Sequence, residues 1–208
     1  MINYIIFDMD GTLVDSSEVI ANSINYVRKK LGLEPMPKRE IIEAVNDPAL
    51  HAPKFFYNKE SFEKKHIEWF QEYYTKNHHK EVRLYTGIKE FLNRIKPCFG
   101  LSLATNAYRI SAMQILEHLH IKEYFEIIVC ADDVAHPKPA PDMLLKIIDY
   151  FGCKKDEIIL IGDGPKDKEA AKNAGIRYMM VNWGFSDYEE ALRSVDELTN
   201  KLFNDKNL

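Results

Sequence analysis

The chain has 208 residues, a formal net charge of −4, 46% hydrophobic and 29% charged residues, as in a soluble globular protein with room for one ordinary domain and a small insertion. A mildly acidic chain without a basic block argues against nucleic acid as a partner, because phosphate neutralisation needs clustered Lys and Arg. No apolar run reaches the ~18 residues of a membrane-spanning helix.

Cys98, Cys130 and Cys153 are odd in number, far apart and free of any CxxC spacing, so reduced thiols are expected. The opening MINYIIFDMDGT shows neither the basic segment nor the cleavage site of a signal peptide, which makes a cytoplasmic location the default expectation.

Ile2 to Phe7 is a short, mostly apolar run, the pattern of a strand buried on both faces of a parallel sheet, and it ends at Asp8. From Asp15 to Leu84 no strand is expected. Ile20, Ile24, Val27 and Leu31 form the stripe of an amphipathic helix that Gly32 stops. Pro35, Pro37, Pro48 and Pro53 punctuate the stretch beyond it. Phe62 to Tyr74 reads as a second helix, with Phe62, His66, Trp69, Phe70 and Tyr73 along one side, a stripe best explained as core. Further buried strands are expected at Leu101 to Ala104, Ile127 to Cys130, Ile158 to Ile161 and Tyr178 to Val181. Between them, Arg109 to Leu119, Pro141 to Phe151 and Lys166 to Ala174 read as helices, the last capped by Gly175. Strands alternating with helices imply a doubly wound, Rossmann-like α/β domain. Its extent is 1–14 and 86–208, with residues 15–85 inserted as a helical cap.

Four polar clusters stand at the C-terminal ends of expected strands, where open α/β sheets place their ligands. They are Asp8-Met9-Asp10-Gly11-Thr12, Thr105-Asn106, Lys138 in HPKPAPD, and Gly162-Asp163-Gly164 with Asp167. Parallel neighbouring strands would bring them to one spot. Asp8, Asp10 and Asp163 would then repel one another unless a cation intervened, and Mg²⁺ suits a site of carboxylates, phosphate and water. With Lys138 as a further positive charge, Thr105 and Asn106 as neutral donors and Gly11 admitting an anion to the backbone, these are parts for phosphoryl transfer.

The segments FDMDGTLVDS, TN, KPAPD and GDGPKDKEAAKNAG, in this order, resemble the four motifs of the haloacid dehalogenase-like hydrolase superfamily. The helical insertion and the stretch VNWGFSD resemble its phosphoglycolate phosphatase-like group, and the 32 residues between Thr105 and Lys138 leave no room for the alternative large cap. The resemblance implies a Mg²⁺-dependent phosphatase. In it Asp8 attacks phosphorus and Asp10 is the acid and base. Thr105 and the backbone near Asp10 and Gly11 bind phosphate oxygens, Gly11 and Thr12 count among the substrate-binding residues, and Asn106 contacts phosphate or substrate. Lys138 neutralises the transferring group. Asp8, the Asp10 carbonyl and Asp163 hold the metal, and Asp167 supports them. Gly164 departs from the serine frequent at its position, which removes a hydroxyl near the metal. NDPALHAPKFF departs from the glycine-containing cap loop of phosphoglycolate enzymes.

Simpler readings go to the remaining polar residues. Asp15-Ser16-Ser17 is expected to cap the following helix. His51, Lys54 and Lys59 read as surface charge, and His78-His79 as a solvated pair. Trp183 stands between core packing and a place beside the site. Asp10 sets aside dehalogenases and phosphonate hydrolases, and Ile20 stands where sugar phosphomutases carry a histidine. A phosphatase acting on a small phosphorylated metabolite therefore leads. Phosphomutase, nucleotidase and pyrophosphatase are the enzymatic alternatives, and a phospho-accepting receiver or a ligand-binding scaffold the others. Monomer and homodimer both remain open.

Overall fold

The short apolar runs pair side by side as parallel strands. The structure is a computed structural model and describes residues 1–47, 49–185 and 188–206. Pro48, and Ser186 and Asp187 of VNWGFSD, lie outside the described residues.

In chain order the elements are β1 (Tyr4–Phe7), β2 (Val14–Asp15), α1 (Ser17–Lys30), α2 (Lys38–Asn46), α3 (Ala52–Tyr57), α4 (Lys64–Glu81), β3 (Arg83–Leu84), α5 (Ile88–Ile95) and β4 (Gly100–Ala104). Then come α6 (Arg109–His118), β5 (Ile127–Val129), α7 (Asp142–Phe151), β6 (Ile158–Gly162), α8 (Pro165–Ala174), β7 (Arg177–Met180) and α9 (Val195–Lys206). The main sheet has the order β5-β4-β1-β6-β7, all parallel, with β1 in the middle. The fold is the expected doubly wound, Rossmann-like α/β architecture.

Alternation along each strand divides the core in two. Ile5, Phe7, Leu101, Leu103, Ile159 and Ile161 face one layer, which α5, α6 and α9 close. Ile6, Ala104, Val129, Ile158 and Leu160 face the other, against Met143, Leu144 and Ile147 of α7 and Ala170, Ala171 and Ala174 of α8. Gly175 ends α8 at φ 72°, a left-handed position that glycine occupies without strain.

Helices α1 to α4 form a third cluster around Ile24, Val27, Ile41, Phe56 and Tyr57, with Trp69 and Phe70 packed against it. The second expected helix starts later, at Lys64, and runs on to Glu81, leaving Phe62 in the preceding loop and exposed. Two further helices, α2 and α3, fill the stretch read only as punctuated by prolines; Pro37 precedes α2, and Pro53 sits in the first turn of α3. The expectation of no strand between Asp15 and Leu84 is also corrected. Val14 pairs with Leu84 and Asp15 with Arg83 in a short antiparallel ribbon, where the helical segment leaves and returns. An Arg83–Asp15 ion pair at 3.0 Å fastens it. Among the described residues no helix is long and apolar enough to cross a membrane.

Candidate active site

Register brings the motifs together. Phe7, the last residue of β1, pairs with Leu103 of β4 and Ile161 of β6, so Asp8, Thr105 and Asp163 emerge close to one another at the same edge. Because β1 is where the winding changes direction, this edge is also the crevice at the sheet's switch point.

The Nζ of Lys138 donates to Asp8 Oδ1 and to Asp167 Oδ1, both at 2.6 Å, and its side chain is 3% exposed. Asp8, Asp163 and Asp167 each offer a carboxylate oxygen, and these oxygens lie within 4.8 Å of one another. Asp163 accepts from Thr12 Oγ1 at 3.1 Å and from the Phe185 backbone N–H at 2.8 Å. Asp167 accepts from the Gly164 N–H at 3.1 Å, so Gly164 contributes through its backbone. Asp8 Oδ2 has no hydrogen-bond partner among the described residues. It is the free oxygen of the pair.

Burial pushes the Asp8 carboxyl well above the usual range, helped by the charges of Asp167 and Asp163 and opposed by Lys138. Burial likewise brings Asp10 up to about 6, although a hydrogen bond from Ser16 and the Lys138 charge favour its ionised form. Burial and Asp167 push Asp163 up to about 7, against the hydrogen bonds from Phe185 and Thr12. Burial works to lower Lys138, but Asp167 and Asp8 outweigh it and hold the ammonium firmly charged. One ammonium thus faces three buried carboxylates. The excess of hard, buried oxygen donors fits a divalent cation such as Mg²⁺.

Other expected site residues have more particular places. Thr105 Oγ1 accepts from the Ala107 N–H at 3.0 Å, which leaves its own proton to donate into the site. Asn106 Nδ2 donates to the Lys138 carbonyl at 2.7 Å and so braces the lysine's loop. Gly11 and Thr12, expected to bind phosphate, spend their N–H groups on Val14 and Met9 carbonyls within the turn. The N–H groups of Met9 and Asp10 have no partner among the described residues and are the donors left for an anion.

The cap reading of Asp15-Ser16-Ser17 holds for Asp15, whose Oδ1 accepts from the Ser17 N–H at the start of α1 at 3.3 Å, and is corrected for Ser16. Ser16 occupies the position before α1 but makes no cap; its hydroxyl donates to Asp10 Oδ1 instead. Asp15 accepts from Ser17 and Arg83. Backbone geometry demands glycine at two places. Gly11 sits at φ 85° with its Cα against the Asp163 carboxylate, and a Cβ on Gly184 would lie 2.0 Å from the Gly11 carbonyl oxygen.

A cavity of about 470 Å³ opens from Asp8, Asp10, Thr105 and Lys138 toward α1, α3 and α4. Lys166, at the start of α8, lines it and donates to the Val45 carbonyl of α2 at 2.8 Å. Lys54 and Lys59 instead pair with Glu60 and Glu63 on the surface, and neither they nor His51 line the cavity. His78 stacks on Tyr74 and meets His118 edge-on, which packs it between α4 and α6. Trp183 packs against the core and donates from Nε1 to the Thr12 carbonyl at 2.9 Å, so both of its readings hold. As site residues, Ser16, Lys166 and the Phe185 N–H have no counterpart in the sequence reading, which took Ser16 as part of a helix cap. The first two are polar residues inside recognised segments, a signal that was available. A backbone N–H carries no residue signature.

Known proteins resemble this arrangement throughout. The family described as haloacid dehalogenase-like hydrolase matches residues 5–181. The pyrophosphatase PpaX of Halalkalibacterium halodurans is 30% identical over 196 residues, covering 94% of this chain and 90% of its own length. The phosphoglycolate phosphatase of Aquifex aeolicus is 30% identical over 182 residues, covering 87% and 85%. A solved structure described as a "predicted phosphatase" from Clostridium acetobutylicum superposes with a TM-score of 0.86 at 29% identity over 98% of this chain and 99% of that one. From β1 to the end of β7, and through all four polar clusters, the chain belongs to the haloacid dehalogenase-like hydrolase family.

Proposed function

We propose that this protein is a Mg²⁺-dependent phosphatase that hydrolyses a small phosphate monoester through an aspartyl-phosphate on Asp8. The observation that carries the reading is the pairing at β1. Lys138 holds Oδ1 of Asp8 at 2.6 Å while Oδ2 stays free, and two residues on stands a carboxyl raised to about 6.

Asp8 Oδ2 attacks phosphorus. The bond from phosphorus to the ester oxygen breaks, and Asp10 gives that oxygen a proton, so the alcohol leaves and Asp10 becomes a carboxylate. The carboxylate then takes a proton from water, whose oxygen attacks phosphorus. The bond to Asp8 breaks, inorganic phosphate leaves, and both aspartates return to their starting forms. Thr105 and the N–H groups of Met9 and Asp10 hold the phosphoryl oxygens. Lys138 neutralises charge, and Asn106 and Asp167 keep it in position. Asp8 and Asp163, with the Asp10 backbone carbonyl, are the residues that would hold Mg²⁺; when bound, the ion offsets the charge shared by the carboxylates and the phosphoryl group. Residues 15–85 act as a cap over the site, which limits water access during transfer. Ile20, which lines the cavity, offers no acid or base to return the phosphoryl group to a sugar, which favours water as acceptor.

The test is turnover of a generic aryl phosphate with Mg²⁺. Multiple turnovers are expected, and Asp8→Asn should lower kcat by more than about 10⁴-fold. A single stable phosphorylation would indicate a receiver, and no turnover with the metal bound would overturn the reading.

A further inference from the structure

The cavity changes character away from the carboxylates. Its deeper walls are Ile20 and Ile24 of α1, Phe56 of α3, and Phe70 and Tyr74 of α4. At its mouth stand Phe62, Ile67 and Tyr108, which are 47%, 40% and 48% exposed although apolar or aromatic. They face the cavity from both sides, the first two from the helical segment and Tyr108 from the loop before α6. Water-exposed apolar groups gathered at one opening mark a place where something apolar binds.

Charge gives the complementary half of the argument. Among the described residues lining the cavity the lysines are Lys138 and Lys166, and no arginine is present. Two carboxylates engage Lys138, and the Val45 carbonyl holds Lys166. His66 accepts from the Glu63 N–H at Nδ1, 3.1 Å away, which places its proton on Nε2, leaves the ring neutral and makes that buried, unpartnered N–H an uncharged donor in the cavity wall. Gln71 and Ser111 bond to each other at 3.0 Å. A second phosphate or a carboxylate here would be desolvated and would meet at most Lys166, an ammonium that burial disfavours and that already donates to the Val45 carbonyl.

We propose that the leaving group of this enzyme's substrate is an uncharged aromatic or branched-aliphatic alcohol, seated between α1, α3 and α4 with its ester oxygen at Asp10. The assignment deepens the phosphatase reading and rests on it. It separates this chain from the relatives named for pyrophosphate and phosphoglycolate, whose leaving groups are anions. Size agrees: about 150 Å³ accommodates benzene in a dry cavity, and this cavity of about 470 Å³ also receives the phosphoryl group.

The experiment compares 2-phenylethyl phosphate with ethyl phosphate, alkyl esters of similar leaving ability, and with phosphoglycolate and pyrophosphate, all with Mg²⁺. Burying one ring predicts a kcat/KM for the phenylethyl ester about 30-fold above that of ethyl phosphate, and above those of both anionic compounds. Ile67→Arg, at an exposed position, should narrow the ratio of phenylethyl phosphate to phosphoglycolate by about 10-fold or more. Calorimetry with 2-phenylethylphosphonate and ethylphosphonate reads the cavity without turnover, and the phenyl compound should bind at least about 10-fold more tightly. Equal binding of the two phosphonates, or preferred turnover of either anionic substrate, would overturn the assignment. No ester turned over, with the phosphonate preference intact, would remove the phosphatase reading and leave the apolar pocket standing.

Discussion

Asp10 and Ser16 form a pair whose chemistry can be tuned without touching Asp8, the proposed nucleophile. The Ser16 hydroxyl donates to Asp10 and favours its ionised form, while burial favours the neutral one and prevails at about 6. The proposed first step needs Asp10 protonated, so kcat/KM for an alkyl ester should fall as pH rises above about 6. Ser16→Ala removes the stabilisation of the carboxylate and raises the value further. The falling limb of the pH–rate profile should therefore move to higher pH, by about half a unit to one unit. A limb moving to lower pH would contradict the arrangement. Asp10→Asn should reduce kcat/KM for alkyl esters by about 10²–10⁴-fold and let labelled phosphate accumulate on Asp8, detectable after acid quench.

At the level of elements, strand register and two close backbone approaches place the acidic groups. The segment after β7 brings Gly184 against the Gly11 carbonyl and lets the Phe185 N–H reach Asp163. Gly184→Ala would force these backbones apart. The expected results are Mg²⁺ affinity reduced by about 10-fold or more and a Tm several degrees lower. The main strands are legible in the sequence because runs such as IILI, buried on both faces, need no periodicity to stand out. The four clusters are legible because each follows such a run. Helix α5 also displays its pattern, Ile88, Phe91, Leu92 and Ile95 on one face, and was open to reading. Helix α3 has six residues and α2 begins with three charged ones, too little for a 3.6-residue period to declare itself. The β2–β3 ribbon has two residues per strand, and its partners lie 68 positions apart at Asp15 and Arg83. Ser16 misled for a related reason: a hydroxyl before a helix is an ordinary cap, and only tertiary structure offers it Asp10 instead.

For the molecule as a whole, the acidic site sets stability against function. Asp163 is raised from its ordinary 3.8 to about 7 in the metal-free fold, so its ionisation opposes folding increasingly from about pH 4 to pH 7 and fully above that. Asp163→Asn should accordingly raise the Tm of the metal-free protein at pH 8, by a stabilisation of up to a few kcal/mol. It should also abolish the Tm increase that Mg²⁺ gives the unsubstituted protein. Differential scanning calorimetry with and without Mg²⁺ checks both. Below pH 7 protons compete for the same carboxylate, so Mg²⁺ affinity should weaken toward pH 6. The short ribbon at Asp15 and Arg83 bears on the molecule's modularity. It joins the two ends of a long excursion as closely as those of a hairpin, so the core experiences that excursion as a loop already closed. Its length then adds little entropic penalty. A helical segment spliced in from a relative at these two residues would leave the five-stranded sheet undisturbed, and such a chimera should keep phosphoryl transfer while taking on the donor's choice of alcohol.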